Sequence, residues 1–398
     1  MCRHEFRFGK RRDYYVRFGI SSENKTSFPA KQVRIGLIGT RGYPYVYSGY
    51  ETFVAELAPR LVDRGHSVTV YCHRGLFKER PPKFRGIRLV YLPALEYKIL
   101  SQFSHSFLST LHSCFMNYDI ILFVNSANGP FGFLTRAFGK CTAINVDGLE
   151  WLRPKWRGLG AKYFWTASYL SSRLFDVIIT DCERMAEIYR REFRAESVTI
   201  AYGANPGYSV NATVLSTWGL SPGKYYLVVA RLVPDNNADV IVRGFEKSDS
   251  LCKLVILGDV PYSDSFADAV RSTRDSRILF PGYVKDKEVL RELYCNASAY
   301  IHGHEFGGTN PSLLQALANG CCVLALDTSF SREVLNNEKH GLYFQKNPDS
   351  LRSLIARIES DPSLASHLRA SARSRIEEKY MWEQITDQYE ELLQSLTK

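Results

Sequence analysis

The segment Ile301–Ala316 holds the densest set of residues that could do chemistry. A strand-like run ends at His302, a glycine-containing loop follows, and Pro311 opens a helical pattern. Thr309 or Asn310 precedes this proline and is placed to cap the helix. Backbone amides at the positive end of a helix bind anions, so the segment predicts a seat for a diphosphate. A capped helix behind a flexible loop, without a ligand, is the alternative.

An arginine at the start of a second loop is a further candidate for anion binding. Arg231 directly follows the strand-like run 225–229 and belongs to the loop 230–237. A guanidinium stays charged and can bind a phosphate through two parallel N–H groups. The alternative is a surface arginine near a turn.

The first half of the chain carries weaker candidates. The glycines of 39–42 and 49–52 surround a strand end and a helix start, but without a complete GxGxxG fingerprint. Asp147 ends a strand, where a carboxylate could orient a hydroxyl or act as a base, yet before Gly148 it is equally an ordinary turn residue. The tryptophans and basic residues that follow could meet a phosphorylated or lipidic acceptor or cover a core edge: Trp151, Arg153, Lys155, Trp156 and Arg157.

Strand-like and helical patterns alternate along the chain from residue 31, stop near residue 205, and start afresh at 225. This rhythm predicts an α/β fold of two Rossmann-like, doubly wound domains with a ligand cleft between them. We expect a basic extension over 1–30, an N-terminal domain over 31–205 and a C-terminal domain over 206–380. A last helix over 381–398 should return to the N-terminal domain.

Composition narrows the class of protein without deciding its function. The 398 residues are ordinary for a globular protein, and no apolar stretch approaches the length of a membrane-spanning helix. The nine cysteines include no CxxC pair and no zinc-like spacing, which favours reduced thiols and a cytoplasmic location. The net charge of +10 predicts an anionic partner. Nucleic acid, a lipid surface and a phosphorylated small molecule all fit that charge.

The positive charge is concentrated in two segments. Residues 1–31 hold eight Lys or Arg and three acidic residues, and residues 74–98 hold seven and two. The first segment lacks the apolar core of a signal peptide and reads as a disordered extension or a basic membrane-surface arm. Together the two segments favour an anionic membrane face over nucleic acid, for which no recognition motif is evident.

Taken together, the motifs resemble the retaining, nucleotide-sugar-dependent glycosyltransferases of family four, and within it bacterial rhamnosyltransferases of surface-polysaccharide assembly. The resemblance runs from Arg34 to Trp382, and four separated motifs carry it in the right order. They are Gly39–Gly42 with Gly49–Phe53, then Asp147–Trp151, Arg231–Pro234, and His302–His304 with Gly307–Leu314. The resemblance implies the GT-B fold, two facing Rossmann-like domains.

The resemblance also implies roles for single residues. Donor binding falls to Gly42, Ser48, Gly49, Arg231, Asn236, Gly307, Gly308, Thr309, Asn310, Ser312, Leu313 and Gln315. Catalytic roles fall to Asp147, Arg231, His304 and Glu305, and acceptor contacts to Tyr50, Glu51, Glu150 and Trp151. The chain departs from the family pattern at five positions. It has Asn236 in place of a lysine, Gln315 in place of a ribose-binding carboxylate, Gly307 in place of a glutamate, Ser48 in place of a glycine and Asp147 in place of a histidine.

The expected reaction is retaining transfer of a hexosyl group, with rhamnosyl as the specific candidate, from a nucleotide-diphosphate sugar to a lipid-pyrophosphate-linked or oligosaccharide acceptor. No metal or other cofactor is expected, because Arg231 and the backbone amides of 307–310 should stabilise the leaving diphosphate. The absence of an Asp-x-Asp motif is consistent with this expectation. The expected location is the inner face of the plasma membrane, as a peripheral protein. The alternatives are a sugar-nucleotide-binding protein without full activity, a sugar-nucleotide epimerase, and a nucleic-acid binder.

Overall fold

The computed structural model describes residues 32–44, 49–95, 97, 100–260 and 264–397. The chain divides into two compact units. Unit 1 runs to Leu152, resumes over Trp156–Ala201 and ends with the residues from Trp382 onward. Unit 2 comprises Arg153–Lys155 and Tyr202–Met381. The predicted extension over 1–30 lies outside the described residues.

Unit 1 is built on a sheet of eight strands in the order β3-β4-β2-β1-β5-β6-β7-β8, parallel except for the antiparallel edge strand β3. The strands are β1 (Arg34–Ile38), β2 (Ser67–His73), β3 (Lys83–Phe84), β4 (Ile87–Leu92), β5 (Ile120–Val124), β6 (Thr142–Asn145), β7 (Val177–Thr180) and β8 (Val198–Thr199). The helices are α1 (Gly49–Asp63), α2 (Leu100–Cys114), α3 (Gly132–Ala137), α4 (Leu159–Leu174), α5 (Glu183–Phe193) and the C-terminal α13 (Trp382–Leu396).

Unit 2 is built on a six-stranded, all-parallel sheet in the order β11-β10-β9-β12-β13-β14. Its strands are β9 (Tyr225–Val229), β10 (Lys253–Leu257), β11 (Ile278–Gly282), β12 (Ala299–His302), β13 (Val323–Leu326) and β14 (Leu342–Phe344). Its helices are α6 (Ala238–Glu246), α7 (Ser265–Arg271), α8 (Lys287–Asn296), α9 (Pro311–Ala318), α10 (Ser329–Leu335), α11 (Pro348–Ser360) and α12 (Pro362–Lys379).

The central strands read as unbroken apolar runs because helices cover both faces of a parallel sheet. Every residue of Ile120–Val124 and of Val323–Leu326 is buried. Both units therefore have the Rossmann-like arrangement that the alternating pattern predicts, and the predicted α/β fold is confirmed. Within the described residues, no helix is long and apolar enough to cross a membrane.

The C-terminal helix α13 is held on unit 1 by apolar and polar contacts. Trp382 and Tyr389 pack their rings against Phe53 of α1 at centroid distances of 6.3 and 5.2 Å. The Tyr389 hydroxyl accepts a hydrogen bond of 2.9 Å from Nδ2 of the buried Asn145. Arg64 pairs with three carboxylates of α13, at 2.9, 2.7 and 2.8 Å for Glu383, Asp387 and Glu390.

Three elements were missing from the sequence prediction. The two-residue strand β3, the short helix α10 and strand β14 are each too short to show a clear period. The division into units also differs in detail, since unit 1 gives way to unit 2 after Ala201 rather than after residue 205. Residues 153–155 fall in unit 2 because Arg153 forms an ion pair with Asp235.

Replacing Arg64 tests how much the ion pairs of α13 contribute to stability. We expect Arg64→Gln to lower the free energy of unfolding by about 1–2 kcal/mol, because three carboxylates lose their shared cation. The loss should shrink at high salt, and also as the pH falls below 4.5, because pairing holds the pKa of Glu383 below that value. Urea unfolding measures it.

The matched control is Arg184→Gln, which removes an exposed pair with Glu187 within α5 and should change stability little. Equal losses in the two variants would contradict a special role for Arg64.

Candidate functional site

Two neighbouring strands of unit 2 bring the main candidate residues together. Strands β9 and β12 pair in parallel, so the loops that follow them leave the same edge of the sheet. A Cβ on Gly303 would lie 2.3 Å from the carbonyl oxygen of Asn236, so only glycine allows this approach. The amide of Glu305 donates to the carbonyl of Asp235 at 3.0 Å. The two loops thus form one structure.

A hydrogen bond between these loops determines which ring nitrogen of His304 carries the proton. Asn236 donates from Nδ2 to the carbonyl of Arg231 at 2.8 Å, which leaves Oδ1 to accept from His304 Nδ1 at 2.5 Å. Burial, helped by the positive charges of Arg153 and Arg231, lowers the pKa of His304 to about 4. His304 is therefore neutral at pH 7, with its proton on Nδ1.

A buried ion pair stands beside this histidine. Arg153 donates to Oδ2 of Asp235 from Nε at 2.8 Å and from Nη2 at 2.5 Å, and both side chains are buried. Sequence reasoning placed Arg153 only in a basic stretch and did not single out Asp235. Neither residue carried a signal that could have paired them, because 81 residues separate them along the chain.

The start of α9 is organised by a chain of hydroxyl and amide groups. Asn310 caps the helix by accepting from the Ser312 amide at 2.9 Å, with Pro311 at the first helical position, as predicted. Ser312 Oγ donates to Asn310 Oδ1 at 2.8 Å and accepts from the Tyr300 hydroxyl at 2.9 Å. His302 lies 3.3 Å from that hydroxyl, and burial lowers its pKa to about 3.

The remaining residues predicted for donor binding surround this helix end. Gly307 has a φ of +122°, a conformation that favours glycine, and it lies against His304. Gly308, Thr309 and Leu313 are buried, whereas Gln315 is half-buried in α9 and the Arg231 side chain is exposed.

Glu305, predicted to be catalytic, is engaged in an ion pair. Its Oε2 lies 2.6 Å from Nζ of Lys346, a residue that sequence reasoning missed. It also accepts a longer bond of 3.4 Å from Asn237 Nδ2. The carboxylate therefore links the loop after β12 to the loop after β14.

In unit 1, the predicted glycine loop is shaped by close approaches. A Cβ on Gly42, where φ is +124°, would meet Cys72 at 2.8 Å. Glu51 is buried and accepts from the Arg41 amide at 2.9 Å, so its carboxylate links Arg41 to α1. Gly49 begins α1. Ser48 lies outside the described residues.

The predicted acceptor residues of unit 1 divide into two groups. Tyr50 donates from its hydroxyl to the carbonyl of Asp147 at 2.8 Å. Burial and the carboxylates of Asp147 and Glu150 raise the pKa of that phenol well above its usual range. Glu150 accepts from the indole of Trp156 at 2.7 Å. Trp151 is instead directed onto α5, with ring contacts to aromatic side chains of that helix.

The comparisons with known proteins agree with this architecture. Residues 219–375 match the family "Glycosyl transferases group 1", and residues 47–205 match "Glycosyltransferase Family 4". The chain belongs to the GT-B glycosyltransferases.

Two curated relatives align with part of the chain. An uncharacterized glycosyltransferase of Methanocaldococcus jannaschii is 26% identical over 166 residues, 41% of this chain and 42% of the relative. The poly(ribitol-phosphate) alpha-N-acetylglucosaminyltransferase of Staphylococcus aureus is 22% identical over 173 residues, 42% of this chain and 34% of the relative. The chain thus spans less than half the length of these curated relatives.

Solved structures show the same fold along nearly the whole chain. A sucrose-phosphate synthase from Thermosynechococcus elongatus has a TM-score of 0.77 at 20% identity, with 92% of this chain and 99% of that chain covered. Anabaena HepE in complex with UDP and glucose has a TM-score of 0.74 at 14% identity, covering 92% and 100%. The likeness confirms the predicted GT-B fold.

The protonation of His304 can be tested by a change of charge at its partner. We expect Asn236→Asp to raise the pKa of His304 by about one pH unit or more, because a carboxylate beside Nδ1–H stabilises the imidazolium. Nitrogen-15 NMR of the imidazole, followed against pH, measures both the pKa and the tautomer.

The control Asn236→Leu removes the hydrogen bond without adding charge, so the pKa of His304 should stay low because burial persists. A pKa near 6.5 in the unmodified chain would contradict the assignment of a neutral imidazole.

Proposed function

We propose that this chain is a retaining, metal-independent glycosyltransferase that moves a hexosyl group, with rhamnosyl as the specific candidate, from a nucleotide-diphosphate sugar to a saccharide or lipid-linked acceptor of surface-polysaccharide synthesis. One observation carries the proposal: Arg231, the neutral His304 and the capped start of α9 lie together at one edge of the sheet. Anabaena HepE, a fold neighbour, has been crystallised with UDP-glucose.

The arrangement suits a leaving diphosphate. The exposed Arg231 guanidinium and the positive end of α9 both attract phosphate, and glycines at 307 and 308 let a ligand approach the backbone closely. His304 and His302 remain neutral, so they add no positive charge for the phosphate. That charge comes from Arg231 and the start of α9. Asn236, which replaces the family's lysine, acts by holding Arg231 and His304 through its amide.

In the proposed reaction, the acceptor oxygen bonds to the anomeric carbon on the face from which the diphosphate departs. The bond between that carbon and the phosphate oxygen breaks, and the acceptor's proton passes to the departing phosphate. Negative charge grows on the leaving oxygen, so preorganised donors there lower the barrier most. Arg231 and the backbone of 307–310 supply these donors, and Asp147 orients the acceptor.

The acceptor side of the proposal rests on unit 1. Tyr50, Asp147 and Glu150 form one polar group, and carboxylates of this kind orient sugar hydroxyls. The excess of basic residues over 74–98 favours an acceptor presented at an anionic membrane, where the chain binds peripherally.

Removal of the Arg231 charge tests the proposed chemistry. We expect Arg231→Ala to lower kcat by about a hundredfold or more, because the leaving diphosphate loses its main cation. EDTA should leave the rate unchanged. The assay follows release of UDP, GDP or dTDP from the corresponding nucleotide sugars.

The matched control is Arg243→Ala, an exposed arginine of α6 that pairs with Asp239 of the same helix. Undiminished turnover in Arg231→Ala would refute the assignment. Isomerised nucleotide sugar without an acceptor would indicate an epimerase instead.

Gln315 tests the donor-binding role of α9. A carboxylate accepts bonds from both ribose hydroxyls, whereas an amide accepts at one end only. We therefore expect Gln315→Glu to tighten nucleotide-sugar binding about tenfold, and Gln315→Leu to weaken it. Titration calorimetry measures both changes. Tight donor binding without transfer to any acceptor would instead favour a binding protein with weakened activity.

A further inference from the structure

Helix α2 of unit 1 presents its apolar side chains outward. Leu100, Phe103 and Phe107 are 47%, 43% and 40% exposed, and they follow one another at helical spacing. Phe115, directly after the helix, is 72% exposed. An exposed apolar stripe of this size marks a contact surface for a partner or a membrane.

The stripe continues onto the neighbouring helix α3. Phe133 of α3 is 59% exposed, and Phe138, just beyond α3, is 46% exposed. The rings of Phe115 and Phe138 lie 5.1 Å apart, and Phe103 contacts Phe131 at 5.0 Å. We call the outward set the apolar face: Leu100, Phe103, Phe107, Phe115, Phe133 and Phe138.

The side of α2 that packs inward is polar, which is the reverse of an ordinary surface helix. Its buried residues are His105, Ser106, Ser109, Thr110, Ser113 and Cys114. Two of the hydroxyls bond to the helix's own carbonyls: Thr110 donates to the carbonyl of Ser106 and Ser113 to the carbonyl of Thr110, both at 2.7 Å. The buried side of α2 is therefore taken by polar and small side chains, and the large apolar ones lie on the exposed side.

The charge around the apolar face identifies the kind of partner. No acidic residue occurs between Glu96 and Asp119, or between Asp119 and Asp147. Exposed basic residues lie in the segment before α2: Arg74, Lys78, Arg80, Lys83, Arg85 and Arg88. His73, which precedes them, contacts Ser101 of α2 at 2.9 Å, so the basic segment adjoins the start of that helix.

We propose that the apolar face docks on an anionic lipid bilayer, with phenylalanines inserted among the acyl chains and the basic segment 74–88 on the headgroups. Aromatic side chains beside Lys and Arg are typical of helices that lie in the membrane interface. A second copy of the chain fits less well, because a symmetric contact would bring two basic segments together. The inference adds a surface to the proposed function, and binding can be measured without any sugar.

Vesicle binding by the full chain tests the proposal. Sedimentation with phosphatidylcholine vesicles that contain phosphatidylglycerol should remove the chain from solution, and Phe115→Ser with Phe133→Ser should lower the partition coefficient about tenfold or more. Lys83→Gln with Arg85→Gln should weaken binding to these vesicles and reduce its dependence on salt. Circular dichroism checks that each variant is folded.

The matched control is Leu251→Ser with Val210→Ser, two apolar side chains of unit 2 that are 99% and 79% exposed. It should bind vesicles as the unmodified chain does. An unchanged partition coefficient for the double variant Phe115→Ser with Phe133→Ser would overturn the proposal. The proposal would also be overturned if the unmodified chain is a dimer in solution that this double variant, and not the control, dissociates. Transfer to a soluble acceptor, measured without vesicles, tests the proposed function separately.

Discussion

The close approach of two backbone loops at Gly303 is the constraint on which the candidate site depends. Because position 303 has no side chain, the loop after β12 rests on the carbonyl of Asn236 in the loop after β9. That contact allows Asn236 to bridge the carbonyl of Arg231 and the imidazole of His304. The chemistry proposed for this edge of the sheet therefore depends first on the close approach of the two backbones, which positions the charged and polar side chains.

The electrostatics of the site follow from burial. Two histidines next to each other on β12 and its loop lose their positive charge, because burial lowers the pKa of both. The Arg153–Asp235 pair balances its own charge inside unit 2. Arg231 remains as an exposed cation beside the start of α9. An anionic ligand at this edge would therefore meet the exposed Arg231 guanidinium and the start of α9, rather than a diffuse positive surface.

Unit 1 has a strand-loop-helix segment similar to that of unit 2, but one of its helices has an unusual outer surface. After β1, the Arg41 amide is bound by Glu51 of α1, and Gly42 lies close to Cys72 because it has no side chain. Helix α2, on the same sheet, reverses the usual distribution of polar and apolar side chains. Periodicity alone would direct Phe103 and Phe107 to the core, since an apolar stripe usually faces inward. Here the buried side of α2 carries serines and a threonine instead, so Phe103 and Phe107 lie on its exposed side.

The sequence by itself determined the alternation of strands and helices, the two Rossmann-like units, and the cap at Asn310, because these depend on local periodicity and on residues close together in the chain. It also determined the family through its four motifs. Only the tertiary structure decided that Arg153 forms a buried ion pair with Asp235, that Glu305 pairs with Lys346, and that the apolar side of α2 faces outward. Each of these depends on which residues meet after folding, and contacts between distant segments leave no trace in a local pattern.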